Sequence, residues 1–420
     1  MFKPLLSRSA SYPALAAGLV LSTAAQATNG YLMDGYGVQS LGLAGVGVAL
    51  PQDALAAATN PAGTGLIGNR LDLGASLFAP DYDTDIVGNG YGANGHYGGS
   101  LKQFLIPELG FSHTIGDAFA AGIALYGNGG ITTEYDTNPF GAFGGQGRAG
   151  VALQQLFIAP SLAWKPLANQ SLGVALDYTY QRFSAEGLNA FATSSINAAN
   201  LTNRGTDTST GVGFKLGWTG QVLPGLTAGV SYSSKISTSR FRDYSGLFAQ
   251  GGSFDVPETD AIGLSYLVAQ GLTLAVDGQR IRYSAVPAVG NPLANLFAGN
   301  PLGSANGPGF GWQDVTVVKF GVRYDISPAW TLRVGYSHSG QPIPADQTFF
   351  NILAPAVIQN HVAIGATWNI AAGGALSVAY TDAIKGSVDG NQSIPAPFGG
   401  GNANLSLGEN IFSVAYGWKL

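Results

Sequence analysis

From residue 71 onward the chain alternates between apolar and small or charged residues. In Val315 to Ile326, Val318, Phe320, Val322, Tyr324 and Ile326 share one parity, while Lys319, Gly321, Arg323 and Asp325 share the other. That is the period of two of a β-strand, whose successive side chains point to opposite faces. Leu172, Val174, Leu176, Tyr178 and Tyr180 alternate in the same way with Gly173, Ala175, Asp177 and Thr179, and Val212, Phe214, Leu216 and Trp218 flank Lys215. Carried along the chain, the pattern predicts about 14 strands, at 71–79, 104–115, 118–135, 150–165, 171–186, 208–221, 226–244, 253–268, 272–286, 313–325, 330–339, 357–369, 375–386 and 403–420. Strand 272–286 slips phase between Val276 and Ile281, where a bulge is expected.

The connections alternate as well. Those at 116–117, 166–170, 222–225, 269–271, 326–329 and 370–374 are short, and those at 80–103, 136–149, 187–207, 245–252, 287–312, 340–356 and 387–402 are mostly long. Short turns at one end, long loops at the other and an even strand number describe an all-β chain, an antiparallel transmembrane β-barrel of the outer-membrane kind. A Lys or Arg facing lipid at mid-membrane costs about 2–4 kcal/mol, so the charged parity looks inward. Trp164, Trp218, Trp330, Trp368 and Trp418 have outward parity and lie near a short turn or the C-terminus, marking one headgroup interface. Phe412, Val414, Tyr416, Trp418 and Leu420 close the chain on alternate positions, resembling the strand by which the barrel assembly machinery recognises its clients.

The N-terminal part is different. Residues 1–27 read as a secretory signal, with Lys3 and Arg8, an apolar stretch from Ala14 to Leu21, and Ala25-Gln-Ala27 before the cleavage point. Residues 28–70 are too Gly-rich for a steady helix and too apolar for a solvated linker. Gly42, Gly45 and Gly47 permit close backbone approach, Asp53 can cap a short apolar turn, and Asn60-Pro61-Ala62 ends it, because the residue before a proline leaves the helical region. Such a segment stays folded only when enclosed, so the expected organisation is a hatch over 28–70 inside a barrel over 71–420.

Composition supports this arrangement. The 420 residues are 46% hydrophobic but only 10% charged, against about 25% charged in soluble domains. The formal charge of −5, which becomes −7 without Lys3 and Arg8, gives no basic surface for nucleic acid, and with no cysteine there is neither a disulfide framework nor a thiolate metal site.

No enzyme signature or cofactor motif is present. His96, His113, His338 and His361 are scattered, and the Gly-rich N-terminal segment lacks the Gly-Lys-Ser/Thr of a phosphate loop. Asp81, Asp83 and Asp85 alternate like part of a calcium loop but lack its Gly and later Glu, so they read as a solvated external loop. Inward Lys215 and Lys319, with Arg280, Arg282 and Arg182 toward the outer strand ends, are candidate partners for a ligand carboxylate. The alternative is that these cations pair with carboxylates such as Asp53 and Asp177. Loops 187–207 and 287–312 carry Leu188, Phe191, Ile196, Leu293, Leu296 and Phe297, for incoming ligand, neighbouring lipopolysaccharide or packing between loops.

The segment ending in Asn60-Pro61-Ala62, the preceding Gly42-Leu-Ala-Gly-Val-Gly47 and Gln52-Asp-Ala54, and the strand sequences Val256 to Tyr266 and Trp330 to Tyr336 followed by Pro342-Ile-Pro-Ala345 together resemble the FadL/TodX family of outer-membrane transport proteins. The resemblance implies a monomeric barrel, blocked by an N-terminal hatch, that admits long-chain fatty acids or aromatic hydrocarbons by diffusion and needs no TonB. It further implies that ligand leaves sideways at a kink in the third strand, where Gly127, Asn128, Gly129 and Gly130 interrupt this sequence. A strand-shaping bulge is the other reading of those glycines. Inward lysines favour fatty acid over hydrocarbon, and a closed structural or adhesive barrel is the rival outside the transport class.

Overall fold

The computed structural model describes residues 29–100, 103–370 and 373–420; the secretory signal lies outside them. Fifteen strands form one sheet: β1 Arg70–Val87, β2 Gly95–Gly98, β3 Phe104–Ile115, β4 Phe119–Tyr135, β5 Ala149–Leu167, β6 Gln170–Glu186, β7 Asp207–Leu223, β8 Leu226–Ser233, β9 Thr259–Ala269, β10 Leu272–Ile281, β11 Val315–Ser327, β12 Trp330–Ser339, β13 Asn360–Ile370, β14 Gly374–Val388 and β15 Asn402–Lys419. β2 is a short flap paired only to β1. The other fourteen follow one another antiparallel, and β15 pairs back onto β1 from Arg70↔Lys419 to Val87↔Asn402, which closes the barrel.

Side-chain parity holds around the wall. Phe320, Val322 and Tyr324 on β11, Leu172, Val174 and Leu176 on β6 and Val212, Phe214 and Leu216 on β7 are exposed, as a wall in lipid requires, while Lys319, Asp177 and Lys215 are buried inside. Trp164, Trp330, Trp368 and Trp418 stand exposed at the short-turn end, where Trp330 and Trp368 stack at 6.1 Å.

Four expectations change. β10 pairs with β11 without interruption from Leu272↔Tyr324 to Ile281↔Val315. There is no bulge between Val276 and Ile281: the phase slip arises because Ile281 is an inward apolar residue packed in the interior cluster. β8 ends at Ser233 rather than 244, and β9 starts at Thr259 rather than 253. Pro257 stands just before β9, where its missing N–H would break a ladder. Residues 234–258 instead make only the isolated bridges Gly211↔Thr238 and Ile236↔Val256. β1 runs past Pro80 to Val87, since the β3 ladder has already ended at Phe104↔Phe78 and β15 continues as partner. Asp81, Asp83 and Asp85 therefore lie on a strand, not in a loop: Lys385 Nζ reaches Asp81 and Asp83 at 3.1 and 2.9 Å, and His96 reaches Asp85 at 2.9 Å.

Residues 29–69 lie inside the ring. Two four-residue helices, α1 Val38–Leu41 and α2 Ala56–Thr59, and a 3-10 turn over Pro61–Gly65 are buried. Glycines on both sides allow the contact. Gly42 meets Gly365 of β13 backbone to backbone, and a Cβ on Gly173 of β6 would strike the backbone of Pro61 and Ala62.

Candidate functional site

Carboxylates from the wall hold the N-terminal segment by its backbone. Glu108 of β3 accepts the N–H groups of Gly37 and Val38 at 3.1 Å each, at the start of α1. Asp277 of β10 accepts those of Gly47 and Val48, and Asp72 of β1 accepts that of Ala54 at 2.9 Å. Each bond satisfies buried donors that no regular helix or sheet supplies with a partner.

The Asn-Pro-Ala turn has a local reason. Asn60 is extended (φ −147°, ψ 110°), which ends α2, and its Oδ1 accepts the N–H of Ala62. Its Nδ2 donates to the Val48 carbonyl at 2.8 Å, to the Trp218 carbonyl at 3.1 Å and to Thr219 Oγ1 at 2.8 Å. One side chain thus ties both arms of the segment to β7. Asp53 accepts from the N–H of Leu55 just before α2. Burial, and then the neighbouring Asp72 carboxylate, push its carboxyl up to about 6. Gly45 adopts φ +81°, which glycine tolerates, and a Cβ there would run into the Asp34 carbonyl.

Beside the segment lies a small cavity bounded by Leu32, Tyr36, Phe157, Ile236, Val256 and the two inward lysines among others. Lys215 Nζ donates to the Ala58 carbonyl at 2.6 Å and stands 3.6 Å from Asp177. Lys319 Nζ donates to the Asp34 carbonyl and stands 3.5 Å from the Asp34 carboxylate. Burial alone would raise Asp34; Lys319, His361 and hydrogen bonds from Asn29 and Ser337 outweigh it and hold the carboxyl below its ordinary value. The alternative of paired cations is the one observed, with Asp34 rather than Asp53 as partner of Lys319.

The three arginines are not in the lumen. Arg280 is exposed on the outward parity of the unbulged β10, 3.3 Å from Asp314. Arg282 follows β10 at the external rim, bonded to Glu258 and Asp260 at 2.6 and 2.5 Å. Arg182 shares the outward parity of Tyr180 on β6, whose pairing with β7 runs without a shift from Gln170 to Phe183. The inward cation that sequence reasoning passed over is Arg333, whose parity between outward Leu332 and Val334 was the available signal.

At Gly127–Gly130 the β4–β5 register shifts, leaving Asn128 out of the ladder. β4 ladders with β3 only from Ile115↔Phe119 to Leu109↔Leu125; beyond this, Phe104 to Glu108 ladder with β1, and Tyr126 onward with β5. From the lumen side Tyr31 to Met33 join β4 there: Met33 N–H donates to the Asn128 carbonyl at 3.1 Å, Gly130 N–H to the Tyr31 carbonyl at 2.9 Å, and Leu32 bridges Gly129. The Ile106 side chain closes the seam against Gly127, and Met33 packs with Phe78, Phe104 and Ile411 beside it.

At the long-loop end, a small apolar chamber is walled by Phe183, Phe191, Phe248, Phe310, Phe350 and Leu302 among others. Leu188, Phe191 and Leu293 are buried in loop packing, whereas Ile196 and Phe297 are exposed. Aromatic contacts lead inward from Phe183 to Phe248 (4.7 Å), Phe254 (5.1 Å) and Tyr31 (5.7 Å), next to Leu32 at the lumen cavity.

The family model described as outer membrane protein transport protein (OMPP1/FadL/TodX) matches residues 18–403. The chain belongs to the OMPP1/FadL/TodX family. Its members are outer-membrane channels for hydrophobic compounds, and this chain is accordingly a transport protein of the outer membrane and not an enzyme. Three solved structures share the fold. A FadL homologue of Pseudomonas aeruginosa is 16% identical with a TM-score of 0.71, covering 93% of this chain and 99% of its own. The toluene transporters TodX of P. putida and TbuX of Ralstonia pickettii are each 17% identical, with TM-scores of 0.69 and 0.65, and each covers 92% of this chain and 99% of its own. No curated protein sequence matches. In a family barrel the short-turn end faces the periplasm and the long loops face outward.

Proposed function

We propose that this family member imports uncharged, apolar small molecules by passive diffusion. The observation that carries the reading is the charge of the lumen cavity: Lys215 and Lys319 are each held by a carboxylate, Asp177 and Asp34, and a third carboxylate, Asp277, lines the same wall. A fatty-acid carboxylate would have to displace one of these pairs and leave a buried carboxylate behind, whereas a hydrocarbon asks nothing of either. The aromatic chamber collects ligand from outside, the Phe248, Phe254 and Tyr31 rings lead it inward, and the cavity holds it against the hatch. Withdrawal of Tyr31 to Met33 from Asn128 to Gly130 then frees the β3–β4 seam, through which ligand passes into the membrane.

Uptake of labelled toluene and labelled oleate, by cells lacking their own importers and displaying matched amounts of this chain, tests the ligand class. Toluene uptake that excess oleate does not reduce supports the reading; uptake of oleate alone overturns it. Fatty acid is the second reading, favoured by the position of Lys215 on the cavity wall. For the exit, paired Ile106→Cys and Gly127→Cys substitutions bridge the seam, and the reading requires transport to fall when they are oxidised and to return with reductant. Undiminished transport through the locked seam would exclude that route.

A further inference from the structure

Arg333 of β12 points into the barrel and is 4% exposed. Its Nε donates to Gln52 Oε1 at 2.7 Å, one Nη to Thr367 Oγ1 at 2.7 Å and the other to Gln39 Oε1 at 2.6 Å. All three acceptors are neutral. A guanidinium has five N–H donors, so two remain, and a buried cation without a counter-charge is strongly unfavourable. Among the described residues no carboxylate stands at ion-pair distance from Arg333. Asp72 is bonded to Arg70 at 2.6 Å, Asp325 to Arg323 at 3.1 Å, and Asp53 turns to the Leu55 backbone.

Next to this guanidinium a cavity is lined by Arg70, Arg323, Arg333, Lys419, Thr331 and Asn369 among others. These residues lie toward the short-turn ends of β1, β11, β12, β13 and β15, so the cavity belongs to the periplasmic mouth. Gln39 and Gln52 of the N-terminal segment also line it, and it shares no residue with the lumen cavity. Four cationic side chains thus line a polar cavity, and the two carboxylates bonded to them, Asp72 with Arg70 and Asp325 with Arg323, leave Arg333 with no carboxylate at ion-pair distance among the described residues.

We propose that this cavity is an anion-binding site on the periplasmic side, taking a carboxylate or phosphate group on Arg333 and Arg323 with Lys419 at its edge. The planar guanidinium, with two donors left, suits the paired oxygens of either group. Because Arg333 also holds both glutamines of the segment, a bound anion braces the hatch from below. The site is independent of which hydrophobe the barrel carries.

The test is thermal unfolding of the mature chain in neutral detergent, titrated with sodium phosphate or sodium acetate at constant ionic strength balanced by chloride. The expected result is a saturable rise in melting temperature. Arg323→Gln leaves the bonds from Arg333 to the segment untouched and should raise the half-saturating concentration by about tenfold or more, given what a hydrogen bond to a charged group contributes. Arg333→Gln should abolish the response, and Arg280→Gln on the outer rim should leave it unchanged. Response to phosphate alone assigns a phosphate group, and response to acetate assigns a carboxylate. A wild-type chain that shows no saturable response, or a response that Arg323→Gln and Arg333→Gln leave intact, overturns the proposal and makes Arg333 a neutral-bonded brace.

Discussion

The Oδ2 atom of Asp277 on β10 lies 2.7 Å from the backbone nitrogen of Gly47 and accepts its N–H. The same oxygen accepts the N–H of Val48 at 3.0 Å. A wall carboxylate thereby serves as the partner for a turn of a segment that lies 230 residues earlier in the chain. Replacement of Asp277 by Ala strands two buried donors, at about 1–3 kcal/mol each. The expected outcome is an earlier thermal transition and faster proteolysis within residues 29–69, with outer-membrane assembly retained. Unchanged protection of that segment would mean that the contact does not hold it.

Lys215 and Asp177 face each other inside the wall at 3.6 Å. Removing one partner of a buried pair costs about 3–5 kcal/mol, whereas replacing both with apolar groups can be nearly neutral. Lys215→Met alone should therefore lower the melting temperature markedly, and Lys215→Met with Asp177→Leu should recover most of the loss. Under the hydrocarbon reading the double variant still takes up toluene. Loss of toluene uptake at matched surface abundance would show that the ammonium itself binds ligand.

Gly129 is bridged to Leu32, and a Cβ added to it would strike the Tyr31 carbonyl. Gly129→Val should push Tyr31 to Met33 off β4 without changing the outward face of the barrel. In planar bilayers the variant is expected to conduct ions more than the parent, because the inner closure of the seam is lost. Equal conductance would argue that other contacts seat the segment.

The Asp53 carboxyl, raised to about 6, faces Asp72, Arg70, Arg333 and Glu108. A carboxyl raised on folding adds stability that is complete below its unfolded value near 4 and is lost as pH rises through about 6. Seating of the segment should thus weaken between about pH 4 and 6, read as faster proteolysis of residues 29–69. Asp53→Asn should flatten that dependence. A profile that Asn leaves unchanged would assign it to another group.

The wall was legible in the sequence because lipid acts on every outward residue alike. Fourteen strands, their inward and outward faces and the alternation of short and long connections follow from a rule of period two, and nine of the fourteen strands have both ends within two residues of where the alternation sets them. The strand ends at Pro80 and Pro257 and the inward Ile281 escaped that rule. There the deciding partner, β15 for β1 or the interior apolar cluster for Ile281, is remote in the chain.

The interior was not legible in the same way. Inward parity placed Lys215 and Lys319 in the lumen, but parity says nothing of what stands opposite. The pairing of Lys319 with Asp34, the two N–H groups on Asp277, the bonds of Arg333 to Gln39 and Gln52 and the insertion of Tyr31 to Met33 at Gly129 each join residues about 90 or more positions apart. The sequence alone determined a membrane barrel and its orientation, since repeating local patterns carry both, and motifs such as Asn60-Pro61-Ala62 carried the resemblance to its transport family. Only the tertiary structure decided which charges are already spent on the N-terminal segment and which buried cation has neutral groups alone as hydrogen-bond partners, because a buried charge is governed by its neighbours in space.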